Sequence, residues 1–500
     1  MDINNGEERR DEQENSREGW QRSKGNDLPA ANRVRVVDQP EVVDEASDAY
    51  RRDFIRKMVV YGWNGYKRYA WGKNEVKPIS LTYHSQGIFG GPSSTLGATI
   101  VDGLDTLILM KLDDEYNEGR EFIKNTFKIS ETRGTISVFE TAIRFLGGFL
   151  SAYALTNDTL FIEKAVEVGD TLLKAFKTPT GLPTSTLNLA TGVISNYGWA
   201  HGGSSILAEI GSLHLEFVYL SHITKNPIYE QKVKTVRDYL DNMEKIDGLY
   251  PNYISSSTGE QFFRQWTGKH VSLGAMGDSF YEYLIKSYIH TNDHQAWRMY
   301  NETIEAVLKK MLQKSKGGLF YIAEWQNGAL DHKMGHLECF CVGMFALQSE
   351  IETDPERKER TCHESYIRSE VGLGPEMFHF HEGNEAKAET SESGYVLRPE
   401  VIEGWFYLWR ITKNSMYKEW IWDAVKAIEK YCKKEGGYAG IVNVYNINEG
   451  WDDVQQSYFF AETLKYAYLA FTDTTVLPLN EWVFNTEGHP FPVLVKPGSM

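Results

Sequence analysis

Cysteine is scarce in this chain of 500 residues, with four thiols at Cys339, Cys341, Cys362 and Cys432. Four is too few for a disulfide scaffold, and their spacing fits no zinc-binding pattern. Read alone, they are buried thiols with room for one disulfide that the spacing does not select. Positive charge is short as well. The net charge of −16 argues against nucleic acid or an anionic membrane surface as partner. No apolar run reaches the ~18 residues of a membrane span, and no secretory h-region is present. As given, the chain reads as soluble, or as a luminal piece whose anchor lies outside it. There is no EF-hand loop, so a calcium site would have to be assembled from scattered residues.

What is present is aromatic and apolar. The composition is 41% apolar, 13% aromatic and 24% charged, with 28 Tyr and 13 Trp. That is enough for a large core and for sugar-stacking surfaces. Residues 1 to 46 are polar and charged, and read as a disordered stem or tail. Residues 47–495 read as one mostly helical domain. Helices with amphipathic faces are expected at about 44–69, 114–127, 158–177, 226–243, 292–314, 354–369 and 415–433. Between them lie helices apolar on most faces, at about 102–112, 139–155, 205–222, 276–290, 336–349, 398–412 and 457–471. Charged helices outside and apolar helices inside predict a double-layered all-α barrel. Hairpin signals at Ala190-Thr191-Gly192, Thr258-Gly259 and Asn327-Gly328 predict short β-hairpins crowding one face.

The apolar helices share a second property. Most open on carboxylates set beside small or apolar residues, as in Phe139-Glu140, Gly277-Asp278, Pro399-Glu400 and Ala461-Glu462. Taken singly, each is an ordinary first-turn acid that complements the helix dipole, and Glu140 with Arg144 is an ordinary i,i+4 pair. Seven such starts, recurring every ~40 to ~70 residues, make a different case. If the inner helices run parallel, their carboxylates meet in one cavity. There they must pair, bind a cation or retain protons. A retained proton beside an ionised carboxylate is what glycosidic hydrolysis requires. The segment Val483–Pro490 follows the last helix; pattern alone favours a capped C-terminal turn, and the other reading has it enter the barrel and supply oxygens from Thr486.

Nine ordered motifs then carry a resemblance: Y-A-W-G-x-N-E at Tyr69–Glu75, K-P-I-S at Lys77–Ser80, D-G-L-D-T-L, F-E-T-A-I-R-F-L-G-G, G-D-S-F-Y-E-Y-L, H-L-E-C-F, L-R-P-E-V-I-E, A-E-T-L-K-Y and F-N-T-E-G-H-P. Together they resemble the class I α-1,2-mannosidases, glycoside hydrolase family 47, from about Tyr50 to Pro490. The resemblance implies an (α/α)7 barrel and a bound calcium ion (Ca2+). It also implies inverting removal of terminal α-1,2-linked mannose from high-mannose N-glycans. By motif position Glu140 is the implied general acid, acting through a water, Asp278 the alternative acid, and Glu400 the base. Thr486 is the implied calcium ligand. Arg144, Glu209, His336, Arg398, Glu403, Glu462 and Glu487 fall where family members line the sugar pocket. Tyr458 stands in for the usual Phe platform. Cys339 and Cys362 match the family's disulfide, while Cys341 and Cys432 match no family role and remain thiols. Met276 replaces the Arg of reticulum-type members and points to the Golgi type. The implied protein is a monomer of the secretory lumen, Golgi first and endoplasmic reticulum second, anchored in its parent form by an N-terminal span. Sequons at Asn157 and Asn301 are weakly consistent with that compartment. Two other readings stand beside it: a relative working in glycoprotein quality control, and a non-catalytic mannose-binding lectin.

Overall fold

The computed structural model describes residues 44–84, 87–256, 270–349, 359–381 and 385–496. Most of the expected stem, and the Thr258-Gly259 turn, lie outside the described residues. Helix starts follow local chemistry. Ser47 caps the first helix, Asp48–Ala70, by accepting from the Tyr50 N–H at 3.2 Å. Asp158 and Asp293 cap Thr159–Leu172 and His294–Lys310 in the same way. These three belong to the outer layer, whose remaining helices are Asp113–Asn125, Ile228–Asn242, Glu359–Ile367 and Met416–Tyr431.

The inner layer holds Ala98–Leu109, Val138–Thr156, the pair Leu207–Gly211 and His214–Thr224, Asp278–Thr291, Leu337–Ser349, Glu400–Thr412 and residues 459–470. Each packs on the next, and residues 459–463 return to Ala98–Leu109, so the ring closes. Seven helix pairs in two layers form the (α/α)7 barrel. Close approach at one seam depends on glycine: a Cβ at Gly404 would stand 3.0 Å from the Val342 Cβ and 3.3 Å from the Cys339 carbonyl. The bond between Cys339 and Cys362 is formed, with Cα atoms 6.1 Å apart. Cys341 and Cys432 stay outside it and are buried.

One expectation needs correcting. Val138–Thr156 is apolar and long enough, by composition, to cross a membrane. It carries Glu140 and Arg144, however, and is 67% buried inside the barrel. It is a core helix, apolar because it is enclosed on most sides.

Short strand pairs lead directly into inner helices. Thr135–Ser137 pairs with Thr186–Asn188, which pairs with Ile194–Ser195 around the Ala190-Thr191-Gly192 turn. Glu324–Gln326 and Ala329–Asp331 close over Asn327-Gly328. Tyr253–Ile254 pairs with Ser205–Ile206, ahead of Glu209. Lys333–Gly335 pairs with Met377–His379 just ahead of His336. The last hairpin, Trp482–Phe484 with Pro490–Pro492, packs against inner helices. Its Phe484 and Phe491 rings are fully buried, so the segment enters the barrel, and the capped C-terminal turn that pattern alone favours is set aside.

Candidate active site

The inner-helix starts converge on one cavity of about 530 Å³. Local structure aims each group. Ser137 accepts from the Glu140 N–H at 3.2 Å and so starts that helix at the carboxylate. A π-helical stretch, Thr141–Leu146, follows and carries Arg144. A second, Phe459–Thr463, carries Glu462. Such wide turns re-aim side chains and recur at functional sites. Met276 and Leu397 hold left-handed backbone, with φ of 75° and 64°. They turn the chain into the helices that begin at Asp278 and Glu400, at about 1–3 kcal/mol of strain each.

Three ion clusters organise the walls. On one, Arg144 Nε binds Glu140 Oε2 at 2.8 Å, and its Nη1 reaches Glu487 and, at 3.4 Å, Asp102. Its guanidinium lies 5.6 Å from the centre of the Tyr458 ring, which also lines the cavity. On a second, Arg398 grips Glu376 through two bonds of 2.7 and 2.6 Å and stands 3.7 Å from Glu400 Oε1. On the third, Lys286 binds Glu282 and lies 3.8 Å from Glu403.

The carboxyls divide into two states. Burial raises Asp278 to about 7, with Glu282 and Glu400 adding repulsion. Burial likewise raises Glu209 to about 8, and Glu209 Oε2 has no hydrogen-bond partner among the described residues. Glu403 is pushed up to about 8 by burial, against the pull of Lys286. Glu462 and Glu487 are held well above the carboxylate range by burial and their acidic neighbours. Glu400 goes the other way. Burial opposes its charge, but the His336 hydrogen bond at 2.8 Å and the Arg398 charge outweigh it and hold the carboxyl below its usual range.

The turn between the last two strands supplies the floor. Asn485 is fully buried; its Oδ1 accepts from the Glu487 and His489 N–H groups at 3.0 and 2.8 Å. Its Nδ2 donates to the Ile143 carbonyl at 3.0 Å and to Glu216 at 2.8 Å. Lys465 donates to the Gly488 carbonyl at 2.6 Å, and His489 pairs with Asp105 at 2.8 Å. Thr486 and Glu487 are thereby presented to the cavity.

Of the residues expected at the site, Glu140, Arg144, Glu209, Asp278, Arg398 and Glu400 line the cavity, as do Glu403, Tyr458, Glu462, Thr486 and Glu487. His336 is placed differently. Its ring is fully buried and reaches the cavity only through Glu400. Several partners escaped the sequence reading: Glu376, Lys286, Tyr366, Asn485 and the exposed Trp199 at the cavity wall. Lys286 alone left a signal, four residues after Glu282 on one helix face.

A closed ring of helix pairs around a carboxylate-walled cavity, with Glu400 held below and Asp278 raised above the usual carboxylate range, defines a glycoside-hydrolase-type site. The sequence matches glycosyl hydrolase family 47 over residues 58–493, and the chain belongs to that family. It is 56% identical over 466 residues to the Caenorhabditis elegans mannosyl-oligosaccharide 1,2-alpha-mannosidase mans-2, a span of 91% of this chain and 78% of that one. It is 49% identical to the Homo sapiens mannosyl-oligosaccharide 1,2-alpha-mannosidase IB, covering 89% of this chain and 70% of that one. Among solved structures, the alpha-1,2-mannosidase from Trichoderma reesei superposes with a TM-score of 0.80 at 28% identity, over 89% of this chain and 99% of that one.

Proposed function

We propose that the chain hydrolyses terminal α-1,2-linked mannose from high-mannose N-glycans, trimming Man9 towards Man5 with inversion. Family membership and the names of its relatives support the substrate. The observation that carries the chemistry is that Glu400 and Asp278 line one cavity in opposite settings: His336 and Arg398 favour the charge on Glu400, while burial raises Asp278 to about 7, so that it keeps part of its protons near neutral pH. Glu400 then takes a proton from the attacking water while an acid protonates the leaving oxygen. We assign Asp278 as that proton source, with Glu140, tied to Arg144, as the alternative that motif position implies. Arg144, Arg398 and the remaining carboxylates accept and donate hydrogen bonds to sugar hydroxyls, and the Tyr458 ring gives a stacking face. His336 acts through Glu400.

The floor also fits a hard cation. Glu282, Glu403, Glu462, Thr486 and Glu487 line one cavity, and among the described residues Lys286 and Arg144 are the cations paired with these carboxyls. Calcium is the ion whose flexible all-oxygen preference suits that set. Thr486 would hold it through its hydroxyl and carbonyl oxygens. When bound, it supplies a positive charge that orients hydroxyls and water. The Cys339–Cys362 bond supports an oxidising, secretory compartment. Golgi residence with an N-terminal anchor, and action as a monomer, complete the reading.

Glu400→Gln tests it: turnover of Man9 glycan is expected to vanish while a mannose-mimicking inhibitor still binds, and normal turnover would refute the base assignment. α-Mannosyl fluoride, whose leaving group needs no proton, separates the two acids. Turnover restored in Asp278→Asn but not in Glu140→Gln supports Asp278; the reverse supports Glu140. Resolving the Man9 digest by isomer reads the end point. Release down to Man5 supports Golgi-type trimming, and a single mannose from one branch contradicts it.

A further inference from the structure

We propose that Tyr366 is a positioning residue for the base: its hydroxyl locks His336 in the one tautomer that donates a hydrogen bond to Glu400. The inference rests on the reading of Glu400 as the base. His336 is fully buried, and each ring nitrogen has one partner. Nδ1 lies 2.8 Å from Glu400 Oε2, and Nε2 lies 2.9 Å from the Tyr366 hydroxyl. An ionised carboxylate only accepts, so Nδ1 must carry the hydrogen. In a neutral imidazole Nε2 is then the acceptor, and Tyr366 must be the donor. Burial keeps that phenol protonated, with Glu400 and Glu376 adding to the effect.

The opposite tautomer has a definite cost. With hydrogen on Nε2, the Nδ1 lone pair faces Glu400. That contact is favourable only if Glu400 takes up a proton, which removes it as a base. Tautomer and base state are therefore one variable, and the Tyr366 hydroxyl sets it. Other charged and titratable groups that act on Glu400 are Arg398, Asp278, Glu403, Glu462, Tyr395 and Tyr458. Arg398 stands off at 3.7 Å, so the His336 contact is the short one.

The fold fixes both ends of this relay. His336 lies three residues before Cys339, and Tyr366 lies four residues after Cys362. The disulfide ties the turn that carries the imidazole to the helix that carries the phenol. On the other side, Tyr366 rests edge-on against Trp405 of the Glu400 helix, with ring centres 5.4 Å apart.

Tyr366→Phe removes the donor and keeps the ring. Its acid limb of kcat/KM for Man9 glycan should move up by about one pH unit. Activity would then fall by up to about tenfold well below the shifted limb and change little at pH 7.5. Sign and cause agree: losing the Nδ1–H bond raises the Glu400 pKa, so the base is lost at a higher pH. Tyr300→Phe is the control. It deletes another fully buried hydroxyl, bonded to Gln348 at 2.9 Å, and should leave the profile unmoved. A folded Tyr366→Phe enzyme with an unmoved acid limb overturns the proposal, whatever its melting temperature. Should that variant fail to fold, neutron diffraction of the unaltered protein decides. Deuterium on His336 Nδ1 and on the Tyr366 oxygen supports the assignment, and deuterium on Nε2 overturns it. The neutron map reads the tautomer without reference to turnover, so it separates this inference from the base assignment itself, which Glu400→Gln tests.

Discussion

Replacing Asn485 by Ala should damage the enzyme out of proportion to its size. The side chain makes four hydrogen bonds from a fully buried position, two into its own turn and two to Ile143 and Glu216. Each is worth about 1 kcal/mol net. The loss is therefore about 4 kcal/mol. Spread over a barrel of this size, whose unfolding entropy is about 1 kcal/mol per kelvin, that lowers the melting temperature by only about 4 °C. The local effect is far larger. The four bonds order the turn that presents Thr486 and Glu487, and 4 kcal/mol is about a thousandfold in the population of that ordered turn. Differential scanning fluorimetry and Man9 kinetics on one preparation test both halves. The expectation is a small thermal shift with kcat/KM down at least tenfold. A variant within twofold of the parent in kcat/KM would show that the turn holds its place without Asn485 and would refute the reasoning.

Chelating calcium should remove activity and lower the melting temperature, because a ligand of the folded state stabilises it; an unchanged melt after exhaustive chelation counts against the ion. In calcium-free protein, stability should rise as pH falls from 8 to 6. Glu209, Glu216 and Asp278, raised by burial to about 8, 7 and 7, bind protons in the folded state that the unfolded chain takes up only near pH 4. Their contribution is present below those values and lost as pH rises through them, so a melt that improves from pH 6 to 8 contradicts the shifts. Gly404→Ala should destabilise by about 1–3 kcal/mol in denaturant titration. Overpacking against Val342 and Cys339 outweighs the ~1 kcal/mol gain in helix propensity, and a more stable variant would refute the close contact.

The layered barrel was legible because burial leaves a mark on composition. Helices such as Glu400–Thr412 are apolar nearly all round, and their partners are not. The carboxylates were legible because they break that rule at regular places. Thr486 did not stand out by pattern, which favoured a plain capped turn after the last helix; only the family resemblance singled it out. The supporting shell left no such mark. Glu376, just before the strand Met377–His379, meets Arg398, just before the helix Glu400–Thr412, and Tyr366 meets His336 from beyond the disulfide. Neither pair has a fixed spacing that periodicity detects. The placement of His336 behind Glu400 needed coordinates, since H-L-E-C-F reads the same whether its imidazole faces sugar or carboxylate. The apolar Val138–Thr156 helix shows the converse limit, because enclosure by protein and enclosure by lipid ask for the same residues.

The hairpin that carries Thr486 comes after every helix of the ring along the chain. A ribosome therefore delivers the seven pairs first and the floor of the cavity last. Until residues 485–489 emerge, the emerging barrel has walls without a base, and it cannot act on glycans of its neighbours during synthesis. Termination between the last inner helix and the hairpin would leave a helical shell whose buried Asp105, Lys465 and Glu216 have each lost a partner, a form exposed to cellular quality control. Closure of that hairpin and competence for chemistry are thus the same event.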